Sequence, residues 1–139
     1  MIKNFIAVIL IIGSVITLSG CGSSKAQIVD SESESQVQIR SYQTREYSVS
    51  KLIAVRSVVS VLQDLGFVID QADGLTGTVS GTKLDGYRLV MTVTVRQNGE
   101  VAKIRANAQA NLKAITDPEI YQDFFVSLDK SIFLESNLP

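Results

Sequence analysis

The sequence predicts an α+β domain: an antiparallel sheet of about four strands with two helices packed on one face, in the order β-α-β-β-β-α. Two kinds of pattern predict it. Alternating apolar runs flank Asn98-Gly99, and two longer stretches, near 50–66 and 116–134, repeat apolar residues at helical spacing between recognisable caps. A sheet face and an amphipathic helix each need cover, and stacking both helices on the same side of the sheet buries all three apolar surfaces together.

The first strand is expected in "VQIRSYQTREY", Val37 to Tyr47, where Val, Ile, Tyr and Thr partly alternate with polar residues. Next, Leu52, Val55, Val59, Leu62 and Leu65 fall on one helical stripe, with Arg56, Ser60, Gln63 and Asp64 opposite. Ser50 can cap the start of that helix, and Gly66 can end it in a left-handed conformation. A short strand, "FVID", follows.

In "YRLVMTVTVRQNGEVAKIRANAQANL", Asn98-Gly99 is the strongest short-range signal for a two-residue hairpin turn. Placing the turn there pairs Val95 with Ala102, Val93 with Ile104 and Met91 with Ala106, an apolar face. The other face carries Arg88, Thr92, Thr94, Arg96, Lys103 and Arg105 and is expected to be wet. Upstream, a three-residue loop over Leu84–Gly86 turns Leu75, Gly77, Val79 and Gly81 inward and spares Thr78, Ser80 and Thr82 burial without partners. The last helix opens in "TDPE" with Thr116 and Glu119 at capping-box spacing. Its stripe is Ile120, Phe124, Leu128 and Ile132, broadened by Tyr121, Phe125 and Phe133.

Thirteen basic against fourteen acidic residues leave no charge excess to favour nucleic acid, and no base-stacking aromatics interleave with the cations of the wet face. The chain has no His, so the commonest general base and metal ligand is missing. Its single Cys has no internal disulfide partner. "GTVSG", Gly77 to Gly81, lacks the spacing of a nucleophile elbow, and "DQADG", Asp70 to Gly74, lacks the alternating ligands of a calcium loop. Asp64, Asp70 and Asp85 read as helix-end and turn residues. The expectation is therefore a non-catalytic protein with no catalytic residues, metal ligands or cofactor.

The one segment that names a chemistry lies at the N-terminus. Lys3 precedes an apolar run from Phe5 to Ile12 that continues with small interruptions to Leu18, the order of an export signal. It ends in "LSGC". Leu18, Ser19, Gly20 and Cys21 are similar at every position to the lipobox of bacterial lipoprotein signal peptides. The resemblance implies a signal peptide over 1–20, cleavage after Gly20 and a covalent lipid on Cys21, the only prosthetic group expected. Two or more acyl chains hold a protein on a membrane where one does so only marginally. Gly22 stands where an Asp would mark inner-membrane retention, so the resemblance points to an outer-membrane, periplasm-facing protein, or to the cell membrane in a source with one membrane.

Residues 21–36 are rich in Ser, Gln and acid and read as a flexible tether, leaving 37–139 as the domain. The domain's layout resembles, over Val37 to Leu134 and in architecture only, BamC-like helix-grip domains and LptE-like two-helix, four-strand domains. Both belong to small envelope-assembly lipoproteins. No motif is shared, so the resemblance assigns no residue; it implies an envelope protein as partner. The candidate partner-binding residues are Arg88, Arg96, Lys103 and Arg105 on the wet face and Phe125 on the last helix, with a lipid or amphiphile held between helices and sheet as the alternative.

Overall fold

The computed structural model describes residues 36–137. In chain order these form α1 (Gln36–Tyr42), β1 (Thr44–Tyr47), α2 (Lys51–Asp64), β2 (Val68–Asp73), β3 (Thr78–Leu84), β4 (Arg88–Asn98), β5 (Val101–Ala110), β6 (Lys113–Ala114) and α3 (Pro118–Ser136). The strands make one antiparallel sheet in the order β1-β5-β4-β3-β2, with β6 on the same edge of β5 as β1. The class is α+β as the sequence indicates. The described residues hold six strands rather than about four, and three helices rather than two.

The extra helix replaces most of the expected first strand. Within α1, Ile39 is buried while Val37 is 77% exposed, and the Tyr42 ring lies 5.7 Å from that of Tyr121. Ile39 and Tyr42 are three apart, the spacing of one helix face. The apparent alternation of Val37 and Ile39 is the accident of a short segment. Only Thr44–Tyr47 pairs as a strand, turning Arg45 and Tyr47 towards the helices and matching them to Ile104 and Ala102 of β5.

Helix α2 has the caps its sequence supplies. The Ser50 hydroxyl accepts from the Ile53 amide at 3.4 Å, and at the other end Gly66, at φ +85°, donates to Gln63 O while the Phe67 amide donates to Leu62 O. That pair of bonds is a Schellman motif, and its characteristic apolar contact is supplied by buried Phe67 and Leu62. The buried stripe, however, is rotated from the expected one. Ala54, Val55, Val58, Val61 and Leu62 face the core, while Leu52 is 60% exposed and Val59 and Leu65 are only partly covered. Small side chains at 54 and 57 let the helix lie close to the sheet, and close packing favours that fit over the larger but worse-fitting Leu52.

The β4–β5 hairpin is shifted by two residues from the expected register. Asn98 pairs with Val101, so the central residues are Gly99 and Glu100; Gly99 alone has positive φ, +60°, which suits the first central position of a type II′ turn. Val95 consequently meets Ile104, Val93 meets Ala106 and Met91 meets Ala108. Because the shift is even, every side chain stays on its expected face.

Between β3 and β4 the loop has three residues as expected but sits one position later, over Asp85, Gly86 and Tyr87, closing the Leu84–Arg88 pair. Val79 and Gly81 point inward. Leu75 does not: it is 89% exposed, because Asp73 to Gly77 form a turn closed by the Gly77 amide on Asp73 O at 2.8 Å, and β3 starts only at Thr78. A Cβ on Gly77 would lie 2.2 Å from Val95 O, so only glycine fits this close approach.

Helix α3 is capped by Asp117 rather than Thr116: its carboxylate accepts from the Glu119 amide at 3.0 Å, with Pro118 in the first turn. Tyr121, Phe124, Phe125 and Leu128 are wholly buried, and α3 and α2 together cover one face of the sheet. The Tyr121 hydroxyl also seals the β5 edge between β1 and β6. It accepts from the Ala108 amide and from Gln43 Nε2, each at 3.1 Å, and donates to Ile115 O at 2.7 Å.

Candidate functional site

The alternation that buries one side of β4 and β5 leaves the other side without a helix of the described residues over it. Thr92, Thr94, Arg105 and Asn107 are half-buried there by their neighbours, while Arg88, Arg96 and Lys103 are exposed. Their register decides the electrostatics. Arg96 stands directly opposite Lys103, and the next outward pair along the strands is Thr94 with Arg105, which is flanked on its other side by Thr44. Like charges directly across a ladder repel. Of these cations, Lys103 alone has an ion partner among the described residues, Glu46 at 3.4 Å between two well-exposed groups, a contact worth little.

Arg105 is the more informative residue. Its Nε is buried and has no hydrogen-bond partner among the described residues. A shielded donor in that condition costs free energy. Three cations are thus brought together at the β4–β5 hairpin end of the face. Arg88 is not among them: it lies at the other end of β4, where it borders a concavity of about 320 Å³ with Val90, Gln109, Asn111 and Leu112.

Phe125 does not belong to a binding surface. It is fully buried, packs edge-on against Phe124 with ring centroids 5.0 Å apart, and carries the Arg45 guanidinium 5.0 Å above its ring. The surplus of apolar residues on α3 is spent on covering the sheet; Phe133, at 67%, is the aromatic left outside. Arg45 also bonds Asp129 at 2.7 Å, and the Tyr47 hydroxyl donates to the same carboxylate at 2.6 Å. Burial, then the bond to Asp129 and its negative charge, push the Tyr47 hydroxyl well above the ordinary phenol range. This triad ties β1 to α3.

The acidic candidates are turn and edge residues. Asp73 accepts from the Leu75 and Thr76 amides at 2.8 and 3.1 Å, and the bonds to Thr76 first, then Leu75, hold its carboxyl below the usual carboxylate range. Asp70 accepts from the Thr82 hydroxyl at 2.6 Å on the β2 edge. Among the described residues no three of His, Cys, Asp and Glu come together as a metal-holding group.

Between the helices and the sheet lies a groove of about 500 Å³, floored by Phe67, Leu89, Met91 and Ile120 and rimmed by Asp85, Asp117, Glu119 and Asp123. Two exposed leucines were not singled out in the sequence. Leu84 and Leu112 are 80% and 89% exposed, and Leu112 has φ +72° after Asn111 at +46°. Asn111 was the available signal, since Asn tolerates the left-handed region; nothing in the sequence marks Leu112. Cys21 and the 1–20 segment lie outside the described residues. No protein-family model and no curated protein matches the chain.

Proposed function

We propose that the chain is a non-catalytic lipoprotein, anchored through lipid on Cys21 in the outer membrane and facing the periplasm, whose domain docks another envelope component through the uncovered sheet face. The anchor rests on "LSGC" behind Lys3 and its apolar run. The observation that carries the docking is the like-charged pair Arg96 and Lys103, directly opposed on the open face beside half-buried Arg105. An acidic patch on a partner protein would pair with exposed Arg96 and Lys103 and relieve their repulsion. Site-specific photocrosslinking in intact cells tests it. A probe at Arg105 should give one discrete adduct that weakens in an Arg96→Glu, Lys103→Glu background, and a probe at Asp64 should not. Equal labelling from both positions would remove the face as the docking surface, and failure of radiolabelled palmitate to enter the protein would remove the anchor.

The groove between helices and sheet favours a second reading, the holding of an amphiphile. Native mass spectrometry of the protein would then show a retained ligand that is lost when Ile120 is changed to Glu at the groove floor.

A further inference from the structure

The groove between helices and sheet is bounded by the turn after α2, the β3–β4 loop, the inner face of β4 and the first turns of α3. Its charge is one-sided. Asp85 comes from the loop, Asp117 from the cap of α3, and Glu119 and Asp123 from the first two turns of that helix; all four are exposed. Among the described residues Lys83 is the one cation that lines the groove. Lys83 and the positive end of α3, worth roughly half a unit charge, offset less than half of the four carboxylates. Basic and acidic residues nearly balance over the whole chain, thirteen against fourteen, so the excess is a local arrangement and not the average of the sequence. Elsewhere acids find cations of their own, Asp129 with Arg45 and Glu46 with Lys103. None of the groove carboxylates has an ion pair among the described residues.

The surface between those carboxylates is apolar. Leu65, Ile115 and Ile120 are only partly covered, and Tyr87, 48% exposed, adds an aromatic ring, a group that attracts an ammonium ion. A volume of about 500 Å³ falls within the roughly 300–1,000 Å³ of small-molecule sites, short of the long trough that a partner's helix needs. A concave site lined by one sign of charge concentrates ligands of the other sign. A fatty acid or a phospholipid would bring its own negative group against the rim. We infer that the groove takes a small cationic amphiphile, an apolar body that ends in an ammonium group, and discriminates against anionic ones. This selectivity rests on the amphiphile reading of the groove proposed above and goes beyond it by fixing the sign of the head.

The test uses the mature acylated protein in phosphatidylcholine nanodiscs. Met1 and Met91 are the only methionines in the chain, and Met91 is enclosed at the groove floor, so an isotope-labelled Met91 methyl reports binding at this site by NMR. Three water-soluble probes share one body and differ in the head: phenylbutylammonium, phenylbutanol and phenylbutyrate. The expected result is a saturable Met91 shift with phenylbutylammonium at roughly tenfold or more lower concentration than with phenylbutanol, and none with phenylbutyrate over the same range. The preference should shrink at high salt, because the carboxylates are exposed. In the variant carrying both Asp85→Lys and Asp123→Lys, two exposed positions, the order of the charged probes should invert while phenylbutanol is unchanged. The order in the wild-type protein is decisive even where that variant fails to fold. If none of the three probes moves Met91, the amphiphile reading of the groove is itself wrong. If phenylbutanol or phenylbutyrate binds as tightly as phenylbutylammonium, the groove holds amphiphiles and the cation preference is overturned.

Discussion

Met91 and Thr92 are neighbours on β4 and live in different environments. Met91 is fully buried under α2 and α3, with Val93 and Val95 beyond it on the same side; Thr92 lies on the face without a helix, among Thr94, Asn107 and Arg105. One strand thus serves two surfaces with opposite demands. The covered side must match shape, and it does so with Ala102, Ala106 and Ala108 opposite larger residues, all at or near zero exposure. The open side must only remain soluble and paired, which leaves its side chains free to be selected for something else. The difference teaches where to look for function: not where residues are constrained by packing, but where a residue is kept despite a local cost, as Arg105 and Leu112 are.

The comparison breaks most visibly at Met91. Met91→Ala removes a fully enclosed side chain and is expected to cost about 2–5 kcal/mol through lost transfer free energy and the cavity left behind. Chemical denaturation should show the midpoint fall with the slope unchanged. Ala106→Leu tests the same side from the opposite direction. Ala106 has no exposure and sits opposite Val93, so added methylenes have nowhere to go; overpacking should cost about 1–3 kcal/mol. An unchanged midpoint in Ala106→Leu would show that the helices do not press on β5.

The sequence carried the two faces of β4 and β5 correctly even though it misplaced their register, and the reason is parity. A hairpin moved by two residues exchanges every cross-strand partner yet no side chain changes sides, so Arg96, Lys103 and Arg105 could be assigned to the open face from alternation alone. What alternation could not supply was that Arg96 faces Lys103, because that depends on whether Gly99 opens the turn or closes it. The helices were legible at their caps and less so in rotation: Ser50 and Gly66 act through backbone bonds that residue type announces, whereas the choice of Ala54 over Leu52 for the core depends on fit. Phe125 shows the limit for sites. Hydrophobicity marks a residue as wanting cover without saying whether a sheet or a partner provides it.

Tyr47 sharpens the comparison at the sheet edge, where β1 is held by a polar tie instead of by packing alone. Tyr47→Phe is expected to cost about 1 kcal/mol at neutral pH, the scale of one partly exposed bond to a carboxylate. Its pH dependence is the more specific readout. The folded chain holds the phenolic proton more tightly than the unfolded chain, so the contribution is whole below the unfolded value of about 10 and is lost as pH rises above it. Wild-type stability should therefore fall above about pH 10 more steeply than that of Tyr47→Phe. Parallel profiles would mean that the hydroxyl is not held by Asp129.

The smallest effect belongs to Thr92. Thr92→Val keeps the β-branched shape that suits a strand and exchanges a hydroxyl with no described partner for a methyl. Because no helix of the described residues packs against this side, the midpoint should move by no more than about 0.5 kcal/mol, one residue away from a position where truncation costs several times as much. A large gain in stability on Thr92→Val would mean that apolar cover is present on this face after all, as self-association through the sheet would provide; a dependence of that gain on protein concentration would identify the second copy as its source.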